Sequence, residues 1–262
     1  MHYQYLKIEH RGDCAWIWMN RAEVHNAFDE ILIQELTSCI AELDAAPAVR
    51  AIVLAGAGKS FSAGADLGWM RRQGEAPLED NLASAHKLAA LFSTLSQCAS
   101  PTIARVHGAA LGGGMGLAAA CDICIASTQA TFATTEVRFG IIPAAIGPYV
   151  VRAIGERQAY RYFQTAERID AVRAQHIGLA HEVVEPEQLD ACVQQIVDAL
   201  LAGGPLAQAA ATQLIRRIAH QPIDTALATE TAQRIAVLRA TPEAKEGLGA
   251  FLEKRAPVWN HA

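Results

Sequence analysis

Two glycine-rich corners constrain this chain more than any other feature: Ser62-Ala63-Gly64-Ala65-Asp66 and Ala109-Ala110-Leu111-Gly112-Gly113-Gly114-Met115-Gly116-Leu117. Each puts glycine where an apolar run stops and a helical pattern starts. Glycine lets backbone N–H groups approach a ligand with no Cβ in the way. A helix N-terminus leaves its first N–H groups unpaired and carries partial positive charge. One such corner is accounted for by tight packing of a helix on a strand. Two of them, with a carboxylate downstream, can hold one developing oxyanion between two backbone donors.

With 262 residues, the chain can bury a large core as one elaborate domain or as a domain with an appendage. No apolar run reaches the roughly 18 residues of a membrane span. The opening Met1-His2-Tyr3-Gln4-Tyr5-Leu6-Lys7 lacks the basic and apolar regions of a secretion signal, so a cytoplasmic location away from membranes is expected. A net charge of −5, with Arg71-Arg72 and Arg216-Arg217 as isolated basic pairs, argues against nucleic acid as a partner. Six cysteines are scattered at 14, 39, 98, 121, 124 and 192. Cys121 and Cys124 form a CxxC without a second pair to complete a zinc site, and buried free thiols are the expected reading.

Strands are expected at Tyr5 to His10 and Cys14 to Met19, joined by a turn at Arg11-Gly12-Asp13. Apolar spacing predicts a helix over Ala27 to Leu43, a strand over Ala51 to Ala55, and a helix over Leu82 to Leu95. Thr102 to His107 reads as strand, Gly113 to Ala120 as helix and Ile123 to Ala126 as strand. This alternation implies an α/β layer structure built from similar units. After Ile146 strands are expected to stop, leaving helices at Ala159 to Gln164, Ala171 to Gly178, Glu187 to Leu201, Leu206 to Ala219, Ile223 to Leu238 and Pro242 to Glu253. Gly203-Gly204-Pro205 is the best linker, so residues 1–200 are expected to form a core and 201–262 a helical appendage in need of a partner.

Gly56-Ala57-Gly58-Lys59-Ser60 suggests a Walker A loop, but that motif needs glycine where Val53 stands. No His-x-Glu or HExxH metal signature is present. His107 follows a strand and is adjacent to Gly108; packing with backbone hydrogen bonds accounts for it better than a role as base. Glu136 is different. It follows a nearly uncharged stretch within Thr134-Thr135-Glu136-Val137-Arg138-Phe139-Gly140-Ile141-Ile142-Pro143, and apolar surroundings raise a carboxyl pKa towards the range useful for proton transfer.

These motifs, in order and almost end to end, resemble the enoyl-CoA hydratase/isomerase (crotonase) superfamily: Asn20-Arg21 through Asn26-Ala27, Phe61 to Asp66, His107 to Asp122, Thr135 to Pro143 and Phe251 to Arg255. The resemblance implies a crotonase fold of repeated ββα units with a C-terminal helical trimerisation region. It also implies acyl-CoA thioester substrates, with coenzyme A entering as part of the substrate and no separate cofactor or metal. The backbone donors for the thioester oxygen then map to Ala65 and Gly113. Glu23, Val24 and His25, with Ala63, Ala65, Asp66 and Leu67, match the strip that holds the adenine and pantetheine. Phe251 and Lys254 match residues that reach coenzyme A, often across a subunit boundary. A homotrimer or a dimer of trimers is the implied assembly.

Hydratases of this family usually carry two glutamates. The second maps to Glu136, whereas the first falls on Gly116. A glycine there is expected to leave the space of a glutamate and to remove a negative charge, favouring a bulky or anionic acyl chain. Ser62 to Met70, Glu136 to Val150 and Thr165-Ala166-Glu167-Arg168 are most similar to the methylglutaconyl-CoA hydratase branch, which acts on a branched, carboxylated enoyl-CoA in leucine breakdown. Arg138 and Arg152 are then the candidates to pair the substrate carboxylate. The alternative is an isomerase or decarboxylase using Glu136 as its sole acid/base. RNA binding, known for some relatives of that branch, needs a lysine-rich early helix. Here Arg50 is the only basic residue between Glu30 and Arg50, beside four acids, Glu30, Glu35, Glu42 and Asp44.

Overall fold

A computed structural model describes residues 3–260. The chain opens with β1 (Leu6–Arg11) and β2 (Cys14–Met19), an antiparallel hairpin, and a short 3-10 turn at Ala22–Val24. Then come α1 (Glu30–Asp44), β3 (Ala51–Gly56), α2 (Leu67–Glu75), α3 (Leu78–Gln97), β4 (Thr102–Val106), β5 (Ala109–Leu111), α4 (Gly113–Ala120), β6 (Ile123–Ser127) and β7 (Thr131–Ala133). A 3-10 turn at Glu136–Phe139 leads to α5 (Gly147–Thr165), β8 (Ile169–Asp170), α6 (Ala171–His176) and β9 (Glu182–Val184). Four helices' worth of chain follows Pro186: a 3-10 turn to Gln188, then α7 (Leu189–Leu201), α8 (Pro205–Ile218), α9 (Thr225–Arg239) and α10 (Pro242–Glu253).

The main sheet runs β1-β2-β3-β4-β6-β9, and every pairing after the first is parallel. Parallel strands joined by helices are covered on both faces, and β3 is buried at every residue. Side-chain alternation sorts the two faces. Ile17, Ile52, Leu54 and Ala104 meet Leu32, Leu36 and Ile40 of α1, Phe92 of α3 and Met115 of α4. Trp16, Val53, Ile103 and Ile125 meet Leu189, Val193 and Val197 of α7. A second sheet, β5-β7-β8, stands beside the first and is extended by a bridge from Ser62 to Ala110.

Several expectations need correction. The helix expected from Ala27 begins at Glu30, because Asp29 caps it by accepting from the Ile31 and Leu32 N–H groups at 3.1 and 2.9 Å. That leaves Phe28 extended, free to bridge to Ala65. Strands do not stop at Ile146: β8 and β9 follow, two and three residues long, too short for periodicity to show. Helix α5 starts earlier than expected, and Gly155, at φ 77°, interrupts its helical backbone. Helix α2 lies in a stretch with no predicted element.

The loop after β3 is held by Asn26. Its fully buried amide donates to the carbonyls of Ala57, Ser60 and Phe61 and accepts from the Arg21 N–H at 2.9 Å. Asparagine also tolerates the left-handed φ of 53° found there. Substituting Asn26 by Ala orphans several buried groups at once. We expect a loss of about 3 kcal/mol, a fall of about 6–12 °C in Tm for a chain of this size, read by thermal denaturation.

Candidate active site

A cavity of about 580 Å³ lies between the two glycine corners. Its walls come from the Ala63–Ala65 corner, α2, α3, the Leu111–Gly113 corner and the segment from Thr135 to Ile146. Backbone pairing brings the corners together. Phe61 and Ser62 donate to His107 and Ala109, and Leu111 donates back to Ser62, at 2.9 to 3.0 Å. Contact is so close that a Cβ on Gly64 would lie 2.8 Å from the Leu111 carbonyl oxygen, and one on Gly113 would lie 2.6 Å from the Phe28 ring. Glycine at both positions is therefore a packing requirement.

The same pairing leaves two donors free. Neighbouring N–H groups are used: Gly64 donates to Ser62 Oγ, Asp66 to the Phe28 carbonyl and Gly112 to the Ala133 carbonyl. The N–H groups of Ala65 and Gly113 have no acceptor among the described residues, and both residues line the cavity. Gly113 also opens α4, where the helix dipole adds positive potential. Two such donors suit an oxygen that gains negative charge.

Glu136 faces this corner. Its Oε1 stands 3.3 Å from the point where a Gly112 side chain would begin, and its Oε2 is buried with no hydrogen-bond partner. Burial raises its pKa above the ordinary glutamate value, and hydrogen bonds from the Glu136 and Thr135 backbone N–H groups offset this only in part. Glu136 is the only ionisable side chain among the cavity's lining residues.

The other sequence-derived site residues divide clearly. Ala63 and Leu67 line the cavity with Ala65 and Gly113. Glu23 and His25 are exposed, Val24 is half-buried, and none of the three lines the cavity, although the Ala63 N–H donates to the His25 carbonyl and so places this strip alongside it. Asp66 caps α2 by accepting from the Trp69 N–H at 2.9 Å. Phe251 and Lys254 are exposed at the end of α10 and are not brought to the cavity of their own chain. His107 is a packed residue, its Nε2 2.9 Å from the Gly58 carbonyl and its Nδ1 3.1 Å from Arg105 Nη1. Cys121 and Cys124 are buried free thiols.

Gly116 requires a correction. It does not open onto the cavity: a Cβ there would lie 2.2 Å from Ile146 Cγ2 and 3.0 Å from Phe92 Cε1. Those two side chains fill the space that a glutamate was expected to vacate. Neither arginine candidate lines the cavity either. Arg138 Nη2 donates to the Ala166 carbonyl at 2.9 Å, and Arg152 lines a separate cavity with Cys121 and His181. Sequence reasoning missed Trp69, Gln73, Asn81 and Ser84, the polar lining from α2 and α3. Asp66 as a cap with Trp69 and Gln73 one turn apart was the available signal, masked by Gly68 and Gly74 in a nine-residue helix.

Comparison with known proteins supports the same assignment. The sequence profile of the enoyl-CoA hydratase/isomerase family matches residues 9–262. The short-chain-enoyl-CoA hydratase of Clostridium acetobutylicum is 36% identical, over 95% of this chain and 94% of its own. The crotonyl-CoA hydratase of Syntrophomonas wolfei is 34% identical, over 97% of each chain. An enoyl-CoA hydratase crystal structure from Shewanella pealeana superposes with a TM-score of 0.94 at 42% identity, covering 98% of this chain and 96% of that one. With its fold, its paired backbone donors and its buried carboxylate in one cavity, this chain belongs to the enoyl-CoA hydratase/isomerase family, the crotonase superfamily.

Proposed function

We propose that this enoyl-CoA hydratase acts on a branched 2-enoyl-CoA with a γ-carboxylate, of the 3-methylglutaconyl-CoA type, and that Glu136 alone carries the proton. The observation behind the mechanism is that a single ionisable side chain lines a cavity holding two free backbone donors. In this reading the thioester oxygen sits between the Ala65 and Gly113 N–H groups. Water adds its oxygen to the β-carbon while Glu136 takes one water proton, and the thioester becomes an enolate held by the two donors. Glu136 then returns that proton to the α-carbon. The sum is addition of one water across the double bond, with both events on one face. A carboxylate made more basic by burial suits the first step. Apolar walls from Leu88, Phe139, Ile141 and Ile142 suit a branched acyl chain. With Gly116 packed away, any preference for such a chain arises on these walls, not from a missing glutamate.

The helical C-terminal region supports a second proposal, a trimer or a dimer of trimers. Ile223, Val237, Leu248, Phe251 and Leu252 are large apolar side chains exposed there. Closed cyclic assembly covers such faces, and it gives Phe251 and Lys254 a neighbour's coenzyme A to reach. Light scattering at micromolar concentration should read three or six chain masses; a fully active monomer contradicts the assembly.

Three measurements test the chemistry. Glu136→Gln should lose on the order of 100-fold or more in kcat while still binding coenzyme A. In the wild type, kcat/KM should fall towards acid as Glu136 becomes protonated. Because burial raises its pKa, the midpoint should lie above that of an ordinary glutamate. This limb should vanish in the Gln variant, and near-normal turnover there removes Glu136 from the mechanism. Wild type should hydrate 3-methylglutaconyl-CoA at least about tenfold better than crotonyl-CoA in kcat/KM. A shifted double bond or released carbon dioxide in place of a hydroxyacyl product assigns isomerase or decarboxylase chemistry instead. Gly116→Ala should cost about 1–3 kcal/mol through crowding against Ile146, seen as a lower Tm.

A further inference from the structure

Two threonines precede Glu136, and the fold uses them differently. Thr134 is buried, and its hydroxyl donates to the Tyr162 carbonyl at 2.9 Å, tying this segment to α5. Thr135 is half-buried and lines the cavity. It stands at the N-cap of the 3-10 turn Glu136–Phe139, where a threonine hydroxyl ordinarily accepts a hydrogen bond from the turn's N–H groups. An N-cap residue that does so has extended backbone. Thr135 instead has φ −90° and ψ −6°, and its hydroxyl caps nothing. Its carbonyl accepts from the Arg138 N–H at 3.1 Å, so backbone alone closes the turn. The hydroxyl is left without a structural task.

Its location supplies a chemical one. Apart from its chain neighbours, the atoms nearest to where a Gly112 side chain would begin are Glu136 Oε1, at 3.3 Å, and Glu136 Cδ and Thr135 Oγ1, each at 3.8 Å. Carboxylate and hydroxyl thus flank the bare face of Gly112, one residue before the Gly113 N–H donor. Gln73, Asn81 and Ser84 also line the cavity, but they belong to α2 and α3. A water that attacks the β-carbon gives one hydrogen to Glu136 and points a lone pair at carbon. Glu136 alone leaves the second hydrogen undirected, so the water can swing about its one hydrogen bond. A threonine hydroxyl accepts as well as donates. By accepting the second hydrogen it fixes the water at two points and leaves the attacking lone pair free, which holds the reactant in line.

We propose that Thr135 is the positioning residue for the attacking water, its Oγ1 accepting one hydrogen while Glu136 accepts the other. The water oxygen bonds to the β-carbon, and the proton taken by Glu136 goes on to the α-carbon. The second hydrogen stays on the new hydroxyl, which keeps its hydrogen bond to Thr135. This inference rests on Glu136 as the proton carrier and holds whatever the acyl chain.

The test uses the 2-enoyl-CoA that wild type hydrates fastest, and its 3-hydroxyacyl-CoA product. Thr135→Val keeps the branched shape without the hydroxyl, and Thr135→Ser keeps the hydroxyl. In Thr135→Val, hydration kcat should fall about tenfold or more with KM for the enoyl ester unchanged. Thr135→Ser should stay within about threefold of wild type. For the reverse dehydration, KM for the 3-hydroxyacyl-CoA should rise about fivefold in Thr135→Val, because only the hydroxylated ester loses a partner. The acid limb of kcat/KM, set by Glu136, should keep its midpoint. Wild-type hydration by Thr135→Val, or a Thr135→Ser enzyme as slow as Thr135→Val, overturns the proposal. So does a loss that comes with a moved midpoint or a raised enoyl KM, since Glu136 or the ester has then been displaced. Near-normal turnover in Glu136→Gln overturns the reading of Glu136, and that of Thr135 with it.

Discussion

Three backbone hydrogen bonds join Phe61 and Ser62 to the stretch from His107 to Leu111, and the geometry of the site descends from them. They seat the Ala63–Ala65 corner directly on the Leu111–Gly113 corner, so that two N–H groups distant in sequence open onto one cavity. Neither corner alone distinguishes a binding site from ordinary helix–strand packing. Their contact also explains the glycines. At Gly64 and Gly113 a Cβ would press into a carbonyl oxygen and a phenyl ring, so the residues that allow close packing also leave the donors accessible.

A buried polar cluster holds the first of these corners from behind. Arg21 is 8% exposed; its Nη1 lies 3.1 Å from Asp29 and donates to the Ala27 carbonyl at 2.6 Å, while its Nη2 lies 3.7 Å from Asp66. Each aspartate is also a helix cap, Asp29 for α1 and Asp66 for α2. An ion pair out of water stabilises little in net terms, because desolvation offsets attraction. Its value here is geometric: one guanidinium fixes the starts of two helices and the extended Phe28 between them. Removing one member would strand a buried charge, which is costly. On the far side, Asp190, Arg105 and His107 form a chain that ends on the Gly58 carbonyl, so the loop after β3 is held from both sides.

The cavity's electrostatics are economical. A single carboxylate sits in apolar surroundings, opposite two backbone donors, with no cation among the lining residues. Burial raises the Glu136 pKa, and a pair of free N–H donors suits an oxygen that gains negative charge. The chain belongs to the enoyl-CoA hydratase/isomerase family, and the relatives from Clostridium acetobutylicum and Syntrophomonas wolfei are named as enoyl-CoA hydratases. The walls around the carboxylate and the donors come from α2, α3 and the segment after Glu136.

The sequence by itself determined the α/β alternation, the two corners, Glu136 as a carboxylate in apolar surroundings, and the family. Long, strongly periodic segments and glycine clusters carry that information locally; β2, α4 and α10 fall where spacing placed them. Tertiary structure alone decided three things. Strands of two or three residues, β5, β7, β8 and β9, exist only because a neighbour pairs with them. Phe28 left its expected helix because Asp29 caps α1 and Ala65 offers a bridge. Above all, the meaning of Gly116 and of the arginines was spatial. A missing side chain leaves room only if no neighbour fills it, and here Ile146 and Phe92 do. A charge acts on a substrate only if its guanidinium reaches the cavity, and hydrogen bonding and placement keep Arg138 and Arg152 elsewhere. Whether a space is filled or a charge is engaged depends on residues far away in the chain, which no local pattern encodes.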